Sequence, residues 1–341
     1  MSLLQYVVRR FLLAIPTIIG LSIVTFILAN YLPGDPLVRL LGERGAANPK
    51  IVASYTKRWG LDKSGPERYF VYMRNLVHGD LGRSTTTQRA VAKDLFDFFP
   101  ATVELALAAI VVAAVGGVAA GILAARFKSR WPDAGVRLLA LLGSGVPVFW
   151  LGLLALEVFY LRLHWVPGPE GRLSSSTNVP THTTGMYTFD ALVHGQWATL
   201  WDALRHLILP AFVLGAYFLG LIARMVRASL LEIGGANYLV AARARGMSER
   251  RIMLTHALPN ALIPVITVLG LAVGGLLAGA VLTETVFAWP GIGRYAVDTA
   301  KGLDYQAVLG VTILIGVIYV VSNVIVDVLY ATLDPRIRIG R

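Results

Sequence analysis

Apolar residues in this chain gather into six long runs, at 11–31, 101–125, 138–163, 207–223, 262–286 and 307–333, with polar residues in the stretches between them. A helix crossing a hydrocarbon layer of about 30 Å needs roughly 20 mainly apolar residues, so each run is expected to be one membrane-spanning helix. The fourth run is the shortest and contains Pro210. The polar stretches carry patterns of their own. Asn48-Pro49 joins an N-cap residue to a first-turn proline, and Gly60 closes the helix they open. A second helix over 66–78 puts Tyr69, Tyr72, Met73 and Leu76 on one face and stops at Gly79. Residues 91–99, with Leu95, Phe96, Phe98 and Phe99, read as an amphipathic piece at the outer membrane surface ahead of the second span. The stretch 164–205 is rich in Pro, Gly, Ser and Thr and reads as irregular. It is long enough for an outer vestibule or a contact with a binding protein, although a solvated connector is the default for such a loop.

Composition makes this a membrane protein. Of 341 residues, 56% are hydrophobic and 15% charged, well below the quarter or so expected of a soluble domain. The formal charge of +11 is a nucleic-acid signature only in a soluble chain; in one this apolar it belongs to basic loops, and no nucleic-acid partner is expected. The chain has no cysteine, which rules out disulfides and Cys-based metal sites. Arg9 and Arg10 precede the first run, whose apolar core is too long for a signal peptide and is followed by no clear cleavage site, so a retained first span is expected.

Lysine and arginine set the sidedness. Arg126, Lys128, Arg130 and Arg137 lie between runs two and three; Arg224, Arg227, Arg243, Arg245, Arg250 and Arg251 lie between four and five; Arg336, Arg338 and Arg341 follow the sixth. The opposite short loops hold only Arg172 and Arg205 in one and Arg294 and Lys301 in the other. Both termini and the loop 224–261 are therefore expected in the cytoplasm, while the long segment 32–100 translocates regardless of its charge. Three parts follow: the first span with its external helical segment (1–97), five spans carrying the cytoplasmic loop (98–331), and a short tail (332–341).

Other features weigh less. Gly116, Gly117 and Gly121 in the second run, and Gly270, Gly274, Gly275 and Gly279 in the fifth, suit close helix packing in lipid. Pro147 and Pro264 are positioned to bend or open their spans. Glu157 is the one ionisable residue placed well inside a run; Glu104, Arg162, Glu284 and Asp327 fall nearer the ends. An intramembrane carboxylate marks a candidate substrate contact, and Glu157 equally fits a paired or partly exposed group. No phosphate loop, zinc-protease motif or nucleophile elbow occurs. His194, His206 and His256 are isolated, so no metal site is expected, and no internal repeat of the secondary-transporter kind is found.

The stretch 236–260 carries the sharpest signal. Asn237 is placed to cap a short helix through Arg245, Gly246 to stop it in the left-handed conformation, and Ser248 to cap a second helix that gives way at Pro259. Ala241, Ala242 and Ala244 leave one face smooth enough for a groove on a partner. On pattern alone, a docking plug and an ordinary basic loop fit equally well.

The residues favour the plug. Ala241, Ala242, Gly246, Leu258 and Pro259 stand at the spacings of the EAA loop, and the stretch resembles that loop in the permease subunits of binding-protein-dependent ABC importers. Val240 stands where the family usually has Glu, and His256 where it has Ile, so no salt bridge to an ATPase carries over at Val240. The wording around Arg243-Ala244-Arg245-Gly246 and Leu258-Pro259-Asn260 is similar to the dipeptide, oligopeptide and nickel branch. So are Leu32-Pro33-Gly34-Asp35-Pro36, Gly79-Asp80-Leu81-Gly82-Arg83-Ser84, Pro100-Ala101-Thr102-Val103-Glu104-Leu105, His206-Leu207-Ile208-Leu209-Pro210, Leu282-Thr283-Glu284-Thr285-Val286-Phe287-Ala288-Trp289-Pro290-Gly291-Ile292-Gly293-Arg294, and Asp334-Pro335-Arg336-Ile337-Arg338.

The resemblance implies an all-α polytopic fold of six transmembrane helices, that of a type I ABC importer permease, with a small helical external segment between helices 1 and 2. It implies a bacterial or archaeal cytoplasmic membrane and no catalysis by this chain. Partners would be a second permease, two ABC ATPase subunits that bind ATP and magnesium, and an extracytoplasmic binding protein. The coupling loop would comprise Asn237, Tyr238, Ala241, Ala242, Arg243, Ala244, Arg245, Gly246, Leu258 and Pro259. Peptides are the implied cargo, with nickel chelates and glutathione-like peptides as alternatives. Two other classes stay open: a proton-coupled transporter acting alone through Glu157, and a membrane receptor or assembly factor.

Overall fold

A computed structural model describes residues 3–31, 46–60 and 62–333. The sequence phrases at 32–36 and 334–338 and the basic tail lie outside the described residues. Helices dominate. α1 (Leu3–Tyr31) is followed by the short pair α2 (Pro49–Trp59) and α3 (Gly65–Val77). Then come α4 (Val91–Arg126), α5 (Trp131–Gly145), α6 (Val148–Arg162), α7 (Tyr187–Val193) and α8 (Trp197–Ile233). α9 (Asn237–Ala244) and α10 (Glu249–Ala261) form a hairpin. α11 (Ile263–Gly279), α12 (Val281–Val286), α13 (Ile292–Lys301) and α14 (Tyr305–Leu333) complete the chain.

α4, α8 and the described part of α14 are each long and apolar enough to cross a membrane, and α5 with α6 and α10 with α11 form two bent pairs that pass together. With α1, which contains the apolar run 11–31, these are the six segments marked by the hydrophobic pattern.

Element ends differ from the sequence reading in four places. The surface piece at 91–99 is the first part of α4, which runs 36 residues straight through Pro100. The fourth span is a 37-residue helix rather than 17 residues, because its polar flanks continue the helical ladder and Pro210 is absorbed within it, buried. The third span is broken: α5 and α6 meet at 114°, where Val146 adopts an extended backbone before Pro147, as the residue ahead of a proline tends to. The stretch 164–205 is not uniformly irregular, since it contains α7 and the start of α8. The helices expected at 49–60 and 66–78 are present with the expected ends. Asn48 Oδ1 accepts from the Lys50 amide at 3.1 Å, and Gly60 ends α2 at φ +62°.

The core is built on α4 and α8, which run parallel. Carbonyls and side chains take the place of absent Cβ atoms: Gly215 sits on the Ala109 carbonyl, Gly117 on Ile222 and Leu219, and Gly121 on Ala223 and Val226. A Cβ at Gly215 would lie 2.6 Å from that carbonyl oxygen, so the approach requires glycine. This pair carries the shelf on which the α9–α10 hairpin sits.

Candidate coupling site

The hairpin follows α8 directly, and its shape comes from two local devices. α9 ends in a Schellman motif: the Gly246 amide donates to the Arg243 carbonyl at 2.9 Å and the Met247 amide to the Ala242 carbonyl at 3.3 Å. Gly246 has φ +77°, the left-handed conformation read from the sequence. Ser248 then takes the N-cap position of α10 in an extended backbone, without a side-chain cap bond. Asn237 is not the cap; Ala236 holds that position and Asn237 is the first helical residue. The second arm contains a π-turn at Met253–Ala257 before Leu258 and Pro259.

One face of the hairpin is buried and the other open. Leu239, at 1% exposure, Ala242, Ile252, Ala257 and Ala261 pack with Ile222, Val226 and Leu230 of α8. Fully burying a leucine or isoleucine side chain contributes about 1.5–3 kcal/mol, so Leu239 and Ile252 anchor the two arms. Ala242 is thus an inward residue, not part of a partner-facing surface, because it follows Leu239 by three positions on one helical face. The open face holds Tyr238, Val240, Ala241, Ala244, Arg245, Leu254 and Pro259, while Leu258 is partly buried.

Polar contacts fix the angle between the arms. Arg243 donates from Nε to Glu249 Oε1 at 2.8 Å, and its guanidinium holds the Glu249 carboxyl below the usual carboxylate range. Asn260 Nδ2 donates to the Tyr238 hydroxyl at 3.3 Å and to the His256 carbonyl at 2.9 Å, tying the base of the hairpin together. Beside it, Arg227 of α8 clamps Asp133 at the start of α5, with 2.6 and 2.9 Å hydrogen bonds. The Ser129 amide donates to the same carboxylate at 3.0 Å. The basic stretch 126–137 is therefore a built joint between α4, α5 and α8.

Glu157 is not deep in a span. It lies in the π-turn Leu156–Arg162 at the end of α6, its side chain 45% exposed and paired with Arg162 at 2.9 Å. The buried carboxylates are ones the sequence placed near span ends. Glu284 accepts from Thr102 Oγ1 at 2.7 Å and from the Arg294 amide at 2.9 Å. Thr102 Oγ1 in turn accepts from the Ile292 amide at 2.8 Å, and Trp289 Nε1 donates to the Ala101 carbonyl at 2.8 Å. A Cβ at Gly291 would fall 2.3 Å from Glu284 Oε1, so the Trp289-Pro290-Gly291 phrase is the wall of this polar knot.

Glu104 takes Thr188 Oγ1 and its amide, both at 2.6 Å, and the guanidinium of Arg172 at 2.5 Å; that guanidinium also lies 3.5 Å from the Tyr187 ring centroid. Nearby, burial opposes ionisation of Asp190, yet hydrogen bonds from Thr184, Thr183 and Gly185 outweigh it and hold the carboxyl below its ordinary range. Sequence reasoning placed Glu104 and Glu284 near span ends but missed their burial, because Thr102 lies 182 positions from Glu284, and Arg172 and Thr188 lie 68 and 84 positions from Glu104. Their only signal was that Thr102, Glu104 and Glu284 all fall within family-like phrases.

Among the described residues, no three His, Asp or Glu side chains are placed to hold a metal. The site thus consists of a rigid, partly apolar knob on one end of α8 and a knot of buried hydrogen bonds at the other.

Comparison with known proteins agrees with this architecture. Relatives include a probable D,D-dipeptide transport system permease protein of Escherichia coli (strain K12), 46% identical over 94% of each chain. A di/tripeptide transport system permease protein of Pseudomonas aeruginosa (strain UCBPP-PA14) is 43% identical over 98% of this chain and 99% of its own. A glutathione transport system permease protein of Escherichia coli O6:H1 is 35% identical over the same shares. Residues 3–106 match the N-terminal component of binding-protein-dependent transport system membrane proteins, and residues 117–339 match the inner membrane component itself. With both parts matched in order along nearly its whole length, the chain belongs to the family of binding-protein-dependent transport system inner membrane components.

Proposed function

We propose that this chain is one of two permease subunits of an ATP-driven importer of dipeptides and short oligopeptides. Two separate ATPase subunits bind ATP and magnesium, and a binding protein delivers cargo on the face opposite the α9–α10 hairpin. The observation that carries the mechanism is the hairpin: a Gly246-hinged knob, anchored by Leu239 and Ile252, with an open face of Tyr238, Val240, Ala241, Ala244 and Arg245. Closure of the ATPases moves that knob as a unit and, through α8 and the Arg227–Asp133 joint, tilts the α4–α8 pair. The termini and the hairpin lie in the cytoplasm. Peptide cargo is supported by the names of the dipeptide and di/tripeptide relatives; the glutathione relative keeps a glutathione-like peptide as the alternative. Glu157 gives little support to a proton relay, being exposed and paired with Arg162.

Proteoliposomes containing the complete complex and its binding protein should accumulate a dipeptide when ATP is supplied on the hairpin side. This chain alone, with an imposed pH gradient, should accumulate none. Uptake by the lone chain, abolished by Glu157→Gln, would establish a secondary transporter instead. ATP-driven uptake of glutathione or a nickel chelate but of no dipeptide would correct the cargo and keep the mechanism.

A further inference from the structure

The short helices α2 and α3 offer a surface separate from the hairpin and from the buried polar knot. α3 lies against α1, where Tyr69 OH and Ser22 Oγ are 2.8 Å apart and Phe26 packs on Tyr69 and Tyr72. Ser22 is near the middle of the apolar run 11–31 of α1. That run continues to Tyr31, so at about 1.5 Å per residue the Tyr69 hydroxyl meets α1 some nine residues, about 13 Å, before its end. α3 thus lies alongside the apolar run of α1 rather than beyond its end. Its outward side chains suit that depth: Phe70 is 72% and Val77 78% exposed.

Two cavities flank this helix. The first, about 350 Å³, is apolar and lies between α3, α4 and α14, lined by Leu76, Leu95, Phe96, Phe99, Ile313 and Val317. The second, about 340 Å³, lies between α2 and α3 and is lined by Lys57, Arg58, Lys63, Arg74, His78 and Asp80. Arg58 is committed to Asp80 and His78 Nδ1 to the Arg74 carbonyl, whereas Lys57, Lys63 and Arg74 have no carboxylate partner among the described residues.

We propose that α2, α3 and the neighbouring ends of α4 and α14 form a binding site for one anionic glycerophospholipid of the leaflet at the Tyr31 end of α1. The phosphate meets Lys57, Lys63 and Arg74, and an acyl chain fills the apolar cavity. Charge complementarity with a phosphate and the depth of α3 select a lipid over a soluble anion. A wholly apolar cavity on the opposite face of α3, adjoining the charged one at the His78-Gly79-Asp80 end of the helix, selects it over an acidic protein surface. The identity of that leaflet as the outer one rests on the sidedness proposed above; the site itself does not.

The test is native mass spectrometry of the complete complex, released from membranes containing equal phosphatidylglycerol and phosphatidylethanolamine. Wild type should retain one phosphatidylglycerol in preference to phosphatidylethanolamine. Lys63→Gln with Arg74→Gln should lower that preference by roughly ten-fold or more, given the attraction of cations near an anionic headgroup. Ala92→Phe, which adds a ring to the lining of the apolar cavity, should lower retention of both lipids. Inorganic phosphate should not displace the lipid.

Equal retention in wild type and both variants would overturn the proposal. So would displacement by phosphate, or cross-linking of residue 74 to the partner permease in the intact complex. ATP-driven uptake is read separately, so failure of the transport reading leaves these outcomes unchanged.

Discussion

At the scale of single residues, Gly246 is the position where conformation and function meet most cleanly. Its φ of +77° suits glycine, and an added Cβ would find no atom within 4 Å. The cost of any side chain there is thus backbone strain alone, roughly 1–3 kcal/mol for a β-branched residue held in this region. Gly246→Val should therefore loosen the turn between the hairpin arms and reduce ATPase co-purification and peptide uptake several-fold, with the spans still inserted. Gly246→Asn, which tolerates the left-handed region, should retain most of both. Equal recovery of ATPase and uptake in the valine variant would remove the hinge from the mechanism.

This residue was legible in the sequence because a glycine stop is a local signal. Asn237 and Ala242 were not, since the start of α9 and the face it buries depend on α8. Glu157 misled for a related reason. An apolar run shows where a helix can insert, but not where it ends or which charge, here Arg162, waits one turn on.

At the scale of elements, the apolar pattern located the membrane segments, and long-range polar ties decided their ends. α8 extends well beyond its apolar run because Asp202 and Arg227 at its flanks have partners: Ser174 donates to Asp202 from its amide at 2.8 Å, and Asp133 takes Arg227. The stretch 164–205 reads as irregular from its Pro, Gly and Ser content. Yet Arg172, 68 positions after Glu104, pins it to α4 in a buried ion pair. Composition cannot report such a pairing.

Removing one partner of a buried pair leaves an unpaired charge and costs about 3–5 kcal/mol, whereas replacing both with apolar residues of similar volume can be near neutral. Arg172→Met should accordingly lower the thermal midpoint of the purified complex clearly. The double variant Arg172→Met with Glu104→Met should recover part of the loss, though not all, because Thr188 and Tyr187 lose contacts as well. A double variant no more stable than the sum of the two single changes predicts would show that the pair does not act as a unit.

At the scale of the whole molecule, the parallel α4–α8 pair sorts every functional feature to one of two ends. Contacts from Gly215 on Ala109 to Gly121 on Val226 keep the two helices in register, so their starts lie together and their ends lie together. The starts gather the Arg172–Glu104 pair and, through the hydroxyl of Tyr295 donating to Asp94, the α13 helix. The ends gather the Arg227–Asp133 joint and the α9–α10 hairpin. From Glu104 to Arg126, α4 advances about 33 Å at 1.5 Å per residue, enough to cross the hydrocarbon layer. Sidedness then reduces to a single binary choice, and the excess of arginine and lysine near the hairpin end is what supports the proposed cytoplasmic placement of that end. Because the chain has no cysteine, single cysteines can decide it without background. Ser175 and Lys128 are both exposed, the first beside the Ser174–Asp202 contact and the second just past the end of α4. In intact cells Ser175→Cys should react with a membrane-impermeant maleimide, and Lys128→Cys should react only after permeabilisation. The opposite pattern would turn the hairpin away from any cytoplasmic ATPase and dismantle the coupling mechanism while leaving the fold intact. Labelling of both in intact cells would mean that the α4–α8 pair does not span the membrane as a unit.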